Sequence, residues 1–501
     1  MEDRLMQDRA DKLRRIRELG VEPYPHDYDL THTAAEALEN FDSLSGEGTT
    51  VRLAGRLTSK RIQGKAGFAN ILDRTTTIQL YIRRDNIGDD FALVKLLDLG
   101  DIIGAEGTLF VTRTGHQTLE VRQLRVLAKA LRPMPVVKRK ATGASGDAEV
   151  FDEVSDKEMR YRRRYVDLAI HPEVRDVFRA RASLIRCIRR FLDAREFVEV
   201  ETPALQPIYG GAAARPFVTH HNALDARLYL RIADELYLKR LIVGGIDRVY
   251  EIAKNFRNEG MDRTHNPEFT ALECYQAFAD YETMMELTEE IVSVAAMELH
   301  GSTTISYAGQ PIDLTPPFER LSMDDALRQW AGIDLDATND DLIDACRRNG
   351  IEVEGDEIWA RLLDILLREL VEPHLEGPVF LVDYPQEMSP LAKKKRDGSG
   401  RVERFELFIR GMEFANAFSE LNDPQEQRAR FEEQAAARAA GDEEAHPVDE
   451  DFLRAVEHGM PPTGGLGIGV DRLVMLMTDQ HSIRDVLLFP AMRPETDDGQ
   501  D

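Results

Sequence analysis

No run of about 18 apolar residues, the length a membrane-spanning helix needs, occurs in this 501-residue chain. The N-terminus also lacks the short apolar core of a secretory signal. Cysteine is scarce. Cys187, Cys274 and Cys346 are odd in number and far apart, so they offer neither a disulfide framework nor paired zinc-ligand spacing. Together these absences point to a chain kept in a reducing cytoplasm, with no membrane contact. Net positive charge is missing too. The 90 acidic and 64 basic residues leave −26, an excess that repels phosphate polymers on average. Non-specific nucleic-acid binding is thereby disfavoured, although a local basic patch is not. No glycine-rich loop leads into the Lys-Ser/Thr of a P-loop, and no β-α-β repeat is evident.

What is present is enough to build cores: 43% of residues are hydrophobic, over a length that suits about three domains. Residues 1–50 read as an amphipathic helix, with Leu5, Leu13, Ile16 and Leu19 among charges and Gly20 as its stop, followed by a polar connection. From Val51 the texture changes to short alternating runs at 51–57, 68–72, 77–82, 102–110 and 118–127, with a helix near 91–97. Five strands with a helix between the third and fourth is the pattern of the oligonucleotide-binding (OB) barrel, assigned to 51–135. Over 51–132, 14 cations face 8 carboxylates, so this stretch is +6 on an anionic chain. A basic barrel is where a nucleic acid would touch. Phe68 and Gln79, on adjacent strands, suit one splayed base, the ring as a stacking platform and the amide as a hydrogen-bonding group. The plainer reading makes Phe68 barrel core.

Residues 136–160 read as a linker. The basic run from Arg160 to Tyr165 suits either a solvated helix start or a contact with RNA or with the barrel. A larger α+β unit then fills 161–493, with an acidic tail at 494–501. It opens with a long amphipathic helix from Pro172 to Phe197 and a strand ending Glu201-Thr202-Pro203. Strands are expected at 229–233, 381–384, 404–409 and 413–420, and a helical insertion over about 300–375. Gly464-Gly-Leu-Gly-Ile-Gly469 reads as a turn entering an apolar helix with Arg472 in its first turn. The densest chemistry lies in a hairpin. Strands at 248–252 and 269–278 flank Phe256-Arg-Asn-Glu259 and His265-Asn-Pro-Glu-Phe269, which place arginine, glutamate, histidine and phenylalanine at one mouth. Arginine binds phosphate and phenylalanine offers a face to a base. A charged surface hairpin is the bland alternative. On the second strand Glu273 and Tyr275 share one face, with Cys274 on the other.

Three segments in this order, Glu201-Thr-Pro203, Phe256-Arg-Asn-Glu259 through Phe269, and Gly467-Ile-Gly-Val-Asp-Arg472, resemble the three signature motifs of the class II aminoacyl-tRNA synthetases. Finer text, including Gly-Gly-Ala-Ala-Ala-Arg-Pro-Phe, Glu-Leu-Tyr-Leu-Lys-Arg-Leu, His-Asn-Pro-Glu-Phe-Thr and Phe-Ser-Glu-Leu-Asn-Asp, is similar to the bacterial class II lysyl-tRNA synthetases over about residues 1–493. The resemblance implies an antiparallel catalytic sheet of six to seven strands flanked by helices, an anticodon-binding barrel, and a homodimer through the first motif. It implies activation of L-lysine by ATP with Mg²⁺, and transfer to the 3′ end of tRNA(Lys).

The same resemblance carries roles to individual residues. Arg257 would grip the α-phosphate and the lysine carboxylate, and Phe269 would stack on adenine with Arg472 on its other face. Glu259 and His265 would order ATP, and Glu406 and Glu413 would hold Mg²⁺. Glu235 would meet the α-amino group, and Glu273 and Glu420 the ε-ammonium with Tyr275 beside it. Asn416, Phe418, Gly211 and Gly469 would complete the lysine pocket. An aspartate or asparagine enzyme would need different contacts, with a cation facing aspartate, and these positions supply none. One departure concerns the last barrel strand, where the family commonly has a glutamate for the middle anticodon uracil. Gln123 stands there, and its carbonyl can still accept.

Overall fold

Alternating apolar residues close the first strands into a barrel. The computed structural model describes residues 2–135, 138–141, 148–151, 156–354, 357–439 and 447–494, which divide into the units Met1–Arg160 and Tyr161–Asp501. In the first unit, α1 (Glu2–Glu18) precedes β1 (Thr50–Gln63), β2 (Ala66–Leu72), β3 (Thr77–Arg83), β4 (Ile102–Val111) and β5 (Gln117–Ala128). The barrel closes in the order β1-β2-β3-β5-β4, with β3 and β5 parallel. Val51, Leu53 and Leu57 of β1 point inward with Ile103, Ala105, Leu119 and Val121. α1 is part of this unit. Ile16 is buried in the barrel core, and Arg9 donates to the carbonyls of Leu99, Ala130 and Arg132 at 2.9–3.1 Å. Two short strands, Lys138–Ala141 and Ala148–Phe151, pair within the expected linker. Residues 136–137, 142–147 and 152–155 of that segment and residues 495–501 of the expected tail lie outside the described residues, whereas Lys157–Arg162 is a helix.

The second unit is built on one sheet. Its elements are α2 (Pro172–Asp193), β6 (Val198–Glu199), α3 (Glu235–Val243), β7 (Arg248–Phe256), β8 (Glu268–Ala277), α4 (Tyr281–His300), β9 (Glu319–Ser322), β10 (Val379–Val382), β11 (Arg404–Ile409), β12 (Met412–Ser419), β13 (Thr463–Gly469) and α5 (Val470–Met477). The strand order is β9-β10-β11-β12-β13-β8-β7-β6. The expected antiparallel sheet forms the centre, from β10 to β7. Edge strands β6 and β9 pair in parallel and bring the total to eight. α2, α4 and α5 cover one face, where Leu184, Ile188, Met284, Ile291 and Leu473 pack with Leu272, Cys274, Leu466 and Ile468 of the sheet. This leaves the opposite face, with Glu273 and Tyr275, to build a cleft.

Three expectations change. The stretch from 300 is not helical throughout: Thr304–Tyr307, Gln310–Asp313 and β9 are strands, and helix resumes at Met323. The glycine-rich segment 464–469 is not a turn but central strand β13, between β8 and β12. Missing side chains let its neighbours' large side chains lean over it. Arg164, in the basic run, is neither solvated nor available to RNA. It is 2% exposed, donates to Asp167 at 2.8 Å and to the carbonyls of Arg484, Leu487 and Leu488, and so anchors the end of the unit. Among the described residues no helix is long and apolar enough to cross a membrane.

Candidate active site

The hairpin β7–β8 sets the site. Its register places Glu251 opposite Glu273 and Val249 opposite Tyr275. β13 lies on the other side of β8, with Gly467 against Glu273 and Gly465 against Tyr275. Beyond it, β12 sets Asn416 against Gly467 and Phe418 against Gly465. Side-chain period two along each strand therefore aims Glu273, Tyr275, Asn416 and Phe418 into one cleft of ≈1020 Å³. Gly211, Glu235, Arg257, Glu259, His265, Phe269, Glu406, Glu413, Gly469 and Arg472 line the same cleft. Glu420 lies beneath this wall, 1% exposed.

At the hairpin mouth Arg257 lies over the Phe269 ring, 5.0 Å from its centroid. It makes no ion pair among the described residues. Burial pulls its pKa down, against the opposing charges of Glu259, Glu413 and Glu273. A half-buried guanidinium without a counter-ion is an anion site. Arg472 is held differently. It donates to the Glu413 carbonyl at 2.7 Å, to Glu413 Oε2 at 3.2 Å and to His265 Nε2 at 3.0 Å. Because arginine only donates, His265 Nε2 accepts and Nδ1 carries the proton that it donates to Asp262 at 2.8 Å. Asp471 ties the start of α5 to the hairpin by accepting from the Thr270 amide at 2.7 Å.

Glu406 and Glu413 share the cleft face because of a bulge. Leu407 pairs with Ala415 and Phe408 with Glu413, so Phe414 is the extra residue. Strict alternation would have sent Glu413 to the opposite face from Asn416; the bulge returns it. Glu406 accepts from Arg404 at 2.6 Å, Tyr384 at 2.7 Å and Asn416 at 3.2 Å. Two oxygen donors on adjacent strands, with no group of three or more metal-binding side chains among the described residues, match a hard cation completed by phosphate oxygens.

Deeper in, carboxyls gather. Glu273 Oε1 faces the Asp234 amide at 3.4 Å and Oε2 accepts from Tyr275 at 3.1 Å. Asn255 donates to Asp234 Oδ1 at 3.2 Å. Burial pushes Glu273 well above the ordinary glutamate value, and Asp234 and Glu235 push the same way. Burial also raises Glu420, against the pull of Lys239. Glycine is required at 465: a Cβ there would stand 1.9 Å from Glu420 Oε1 and 2.5 Å from the Tyr275 ring. Gly211 adopts φ +90°, a left-handed conformation that favours glycine. At Gly469 a Cβ would meet only Arg472, at ordinary distance.

The pocket also holds a cation, at a position outside the expected set. Lys239, on α3 one turn from Glu235, is buried with its ammonium on Glu235 Oε1 and Glu420 Oε2. Asp234, Lys239, Arg404, Tyr384 and Gly465 are site residues that the sequence reading passed over. For Lys239 the available signal was its spacing of four from Glu235 on a helix.

In the barrel, Phe68 is 40% exposed and is not core. It stacks on Tyr81 with centroids 4.9 Å apart, and Tyr81 meets Phe110 at 5.8 Å. Gln79 lies on the same face, through the pairing of Asn70 with Gln79, and accepts from Thr118 at 2.9 Å. Gln123 is exposed beside a second bulge, opposite Glu106.

Residues 156–493 match the class II tRNA synthetases (D, K and N), and residues 51–127 match the OB-fold nucleic acid binding domain of the tRNA anticodon family. The chain belongs to the class II tRNA synthetases. Curated relatives agree over nearly the whole chain. The lysine–tRNA ligase of Moorella thermoacetica is 52% identical over 99% of this chain and 99% of its own. That of Chloroflexus aurantiacus is 52% identical with the same coverage, and that of Carboxydothermus hydrogenoformans is 50% identical over 98% of each.

Proposed function

We infer that the chain is a lysine–tRNA ligase: it joins L-lysine to AMP with release of pyrophosphate, then passes lysine to the 3′ end of tRNA(Lys). One observation carries the reading. The same strand that presents Phe269 beside Arg257, which makes no direct ion pair among the described residues, runs on to Glu273 and Tyr275 among buried carboxyls. An anion site thus leads directly into a cation site, as joining a nucleotide to lysine requires. The full-length likeness to lysine–tRNA ligases supports the choice of amino acid.

In this reading the lysine carboxylate attacks the α-phosphorus, and the bond to pyrophosphate breaks. No protein base is required, since the nucleophile is already ionised. Arg257 neutralises charge on the α-phosphate and holds the carboxylate, and Phe269 stacks on adenine with Arg472 across the ring. Glu259 and His265 order ATP. Glu406 and Glu413 would hold Mg²⁺, which supplies charge neutralisation on the phosphates. Glu235 receives the α-amino group, and Glu273, Tyr275 and Glu420 the ε-ammonium, with Asn416, Phe418, Gly211 and Gly469 shaping the space. The ribose 3′ hydroxyl then attacks the lysyl carbonyl, and AMP leaves.

Phe68, Gln79 and Gln123 contact the anticodon, and the exposed Phe68 ring on its aromatic neighbours supports this. The homodimer forms through the first motif; the exposed apolar side chains of Val198 and Leu205, flanking that motif's end, support it. Free, buried Cys187, Cys274 and Cys346 suit a reducing cytoplasm. Pyrophosphate exchange that depends on lysine tests the reading. Equal exchange with aspartate or asparagine would contradict it.

A further inference from the structure

Lys239 is 1% exposed and projects from α3 into the floor of the carboxylate pocket. Its ammonium pairs with Glu235 and Glu420. It also lies 5.2 Å from the centroid of Phe418 and 5.9 Å from that of Tyr275. Two carboxylates and two aromatic faces form a receptor for an alkylammonium, and the protein fills it with one of its own. The neighbouring carboxyls have no such partner. Among the described residues Glu273 makes no ion pair: it accepts from the Asp234 amide and the Tyr275 hydroxyl and stands against the Asp234 carboxyl. Glu420 Oε1, the oxygen not in Lys239's ion pair, is buried without a hydrogen-bond partner and lies close against Gly465, where a Cβ would stand 1.9 Å from it.

We propose that Lys239 is a positioning residue that sets amino-acid specificity: by occupying Glu235 Oε1 and Glu420 Oε2 it fixes both carboxylates and leaves Glu273 and Glu420 Oε1 as the place for one further ammonium. The proposal rests on the assignment of this cleft to lysine. Burial disfavours the charged form of Lys239, and Glu235 and Glu420 more than restore it, so the side chain stays a cation. Without it, Glu235 and Glu420 would stand buried and uncompensated, and would take up protons or turn away.

The test is pyrophosphate exchange by the full-length chain, parent first. A parent that shows no lysine-dependent exchange defeats the functional reading, whatever the variants do. Given an active parent, Lys239→Met, uncharged and of similar length, is expected to raise the lysine KM roughly tenfold or more, with the ATP KM within about twofold. Lys239→Ala leaves a vacancy that free n-propylammonium fits. Low concentrations should restore part of the lysine affinity, or the melting temperature if the variant folds only with the amine, whereas in the parent the amine only competes. A lysine KM within about twofold of the parent in folded Lys239→Met overturns the proposal. So does a parallel rise in lysine and ATP KM, the absence of amine rescue, or failure of both variants to fold with or without the amine, since each places Lys239 in the framework alone.

Discussion

At Glu273 burial and charge meet, and in the proposed reading so does selectivity. Its carboxyl has no cation of its own, and burial beside Asp234 and Glu235 holds it well above 4.5, the ordinary glutamate value. Glu273→Gln keeps the shape and removes the charge that an ammonium would meet. We expect the lysine dissociation constant to rise roughly tenfold or more, measured by calorimetry; an unchanged constant would contradict the assignment. The raised value also has a pH consequence. The folded chain keeps a proton that the unfolded chain has released, so this group's contribution to stability is full below 4.5 and is lost as pH rises through the folded value. Lysine supplies an ammonium for the ionised carboxyl, so its stabilising effect should grow over the pH window above 4.5, as pH rises toward the raised folded value. Melting temperatures with and without lysine across that window check this, and a shift that is flat or shrinks with pH would count against it. Arg257 should matter to the chemical step. Arg257→Gln is expected to lower kcat for exchange by about 100-fold or more, and a loss confined to KM would remove it from transition-state stabilisation.

At the scale of elements, β13 and the bulge in β12 decide how the cleft is lined. Gly465→Ala would push against Glu420 and Tyr275. We expect about 1–3 kcal/mol of destabilisation from this overpacking, together with a raised lysine KM and an unchanged ATP KM. An alanine variant of parental stability and lysine KM would show that the strand has slack. The same elements show what could be read in advance. The hairpin was legible because its chemistry is local: Arg257, Phe269, Glu273 and Tyr275 lie within one turn and two strands, and period two alone puts the last two on one face. The five barrel strands were legible for the same reason. β13 was not, because glycine speaks for turns in isolation and only its neighbours' bulk makes it a central strand. The shared face of Glu406 and Glu413 was suggested by likeness alone. Alternation argues against it, and a bulge at Phe414 cannot be seen without the partner strand. Lys239 was hidden because its partner Glu420 lies 181 positions away and a lysine on a helix ordinarily reads as solvated.

Across the whole molecule, the synthetase match at 156–493 and the OB-fold match at 51–127 fall mainly in two different compact units, Tyr161–Asp501 and Met1–Arg160, and in the proposed reading these carry chemistry and tRNA reading. Changes in the barrel should therefore touch one reaction and not the other. Phe68→Ala removes the exposed platform over Tyr81. It is expected to lower kcat/KM for tRNA charging by about tenfold or more, the worth of one stacked base, while lysine-dependent exchange without tRNA is unchanged. Charging that survives this substitution would remove the ring from the anticodon site. In the proposed reading, selection of the amino acid rests on the catalytic unit, through Glu273, Glu420 and Lys239. Pyrophosphate exchange by the unmodified protein with lysine, aspartate and asparagine compared at equal concentration tests that most directly. The account predicts exchange with lysine and essentially none with the other two. Exchange of equal rate with aspartate or asparagine, or none with lysine, would contradict it.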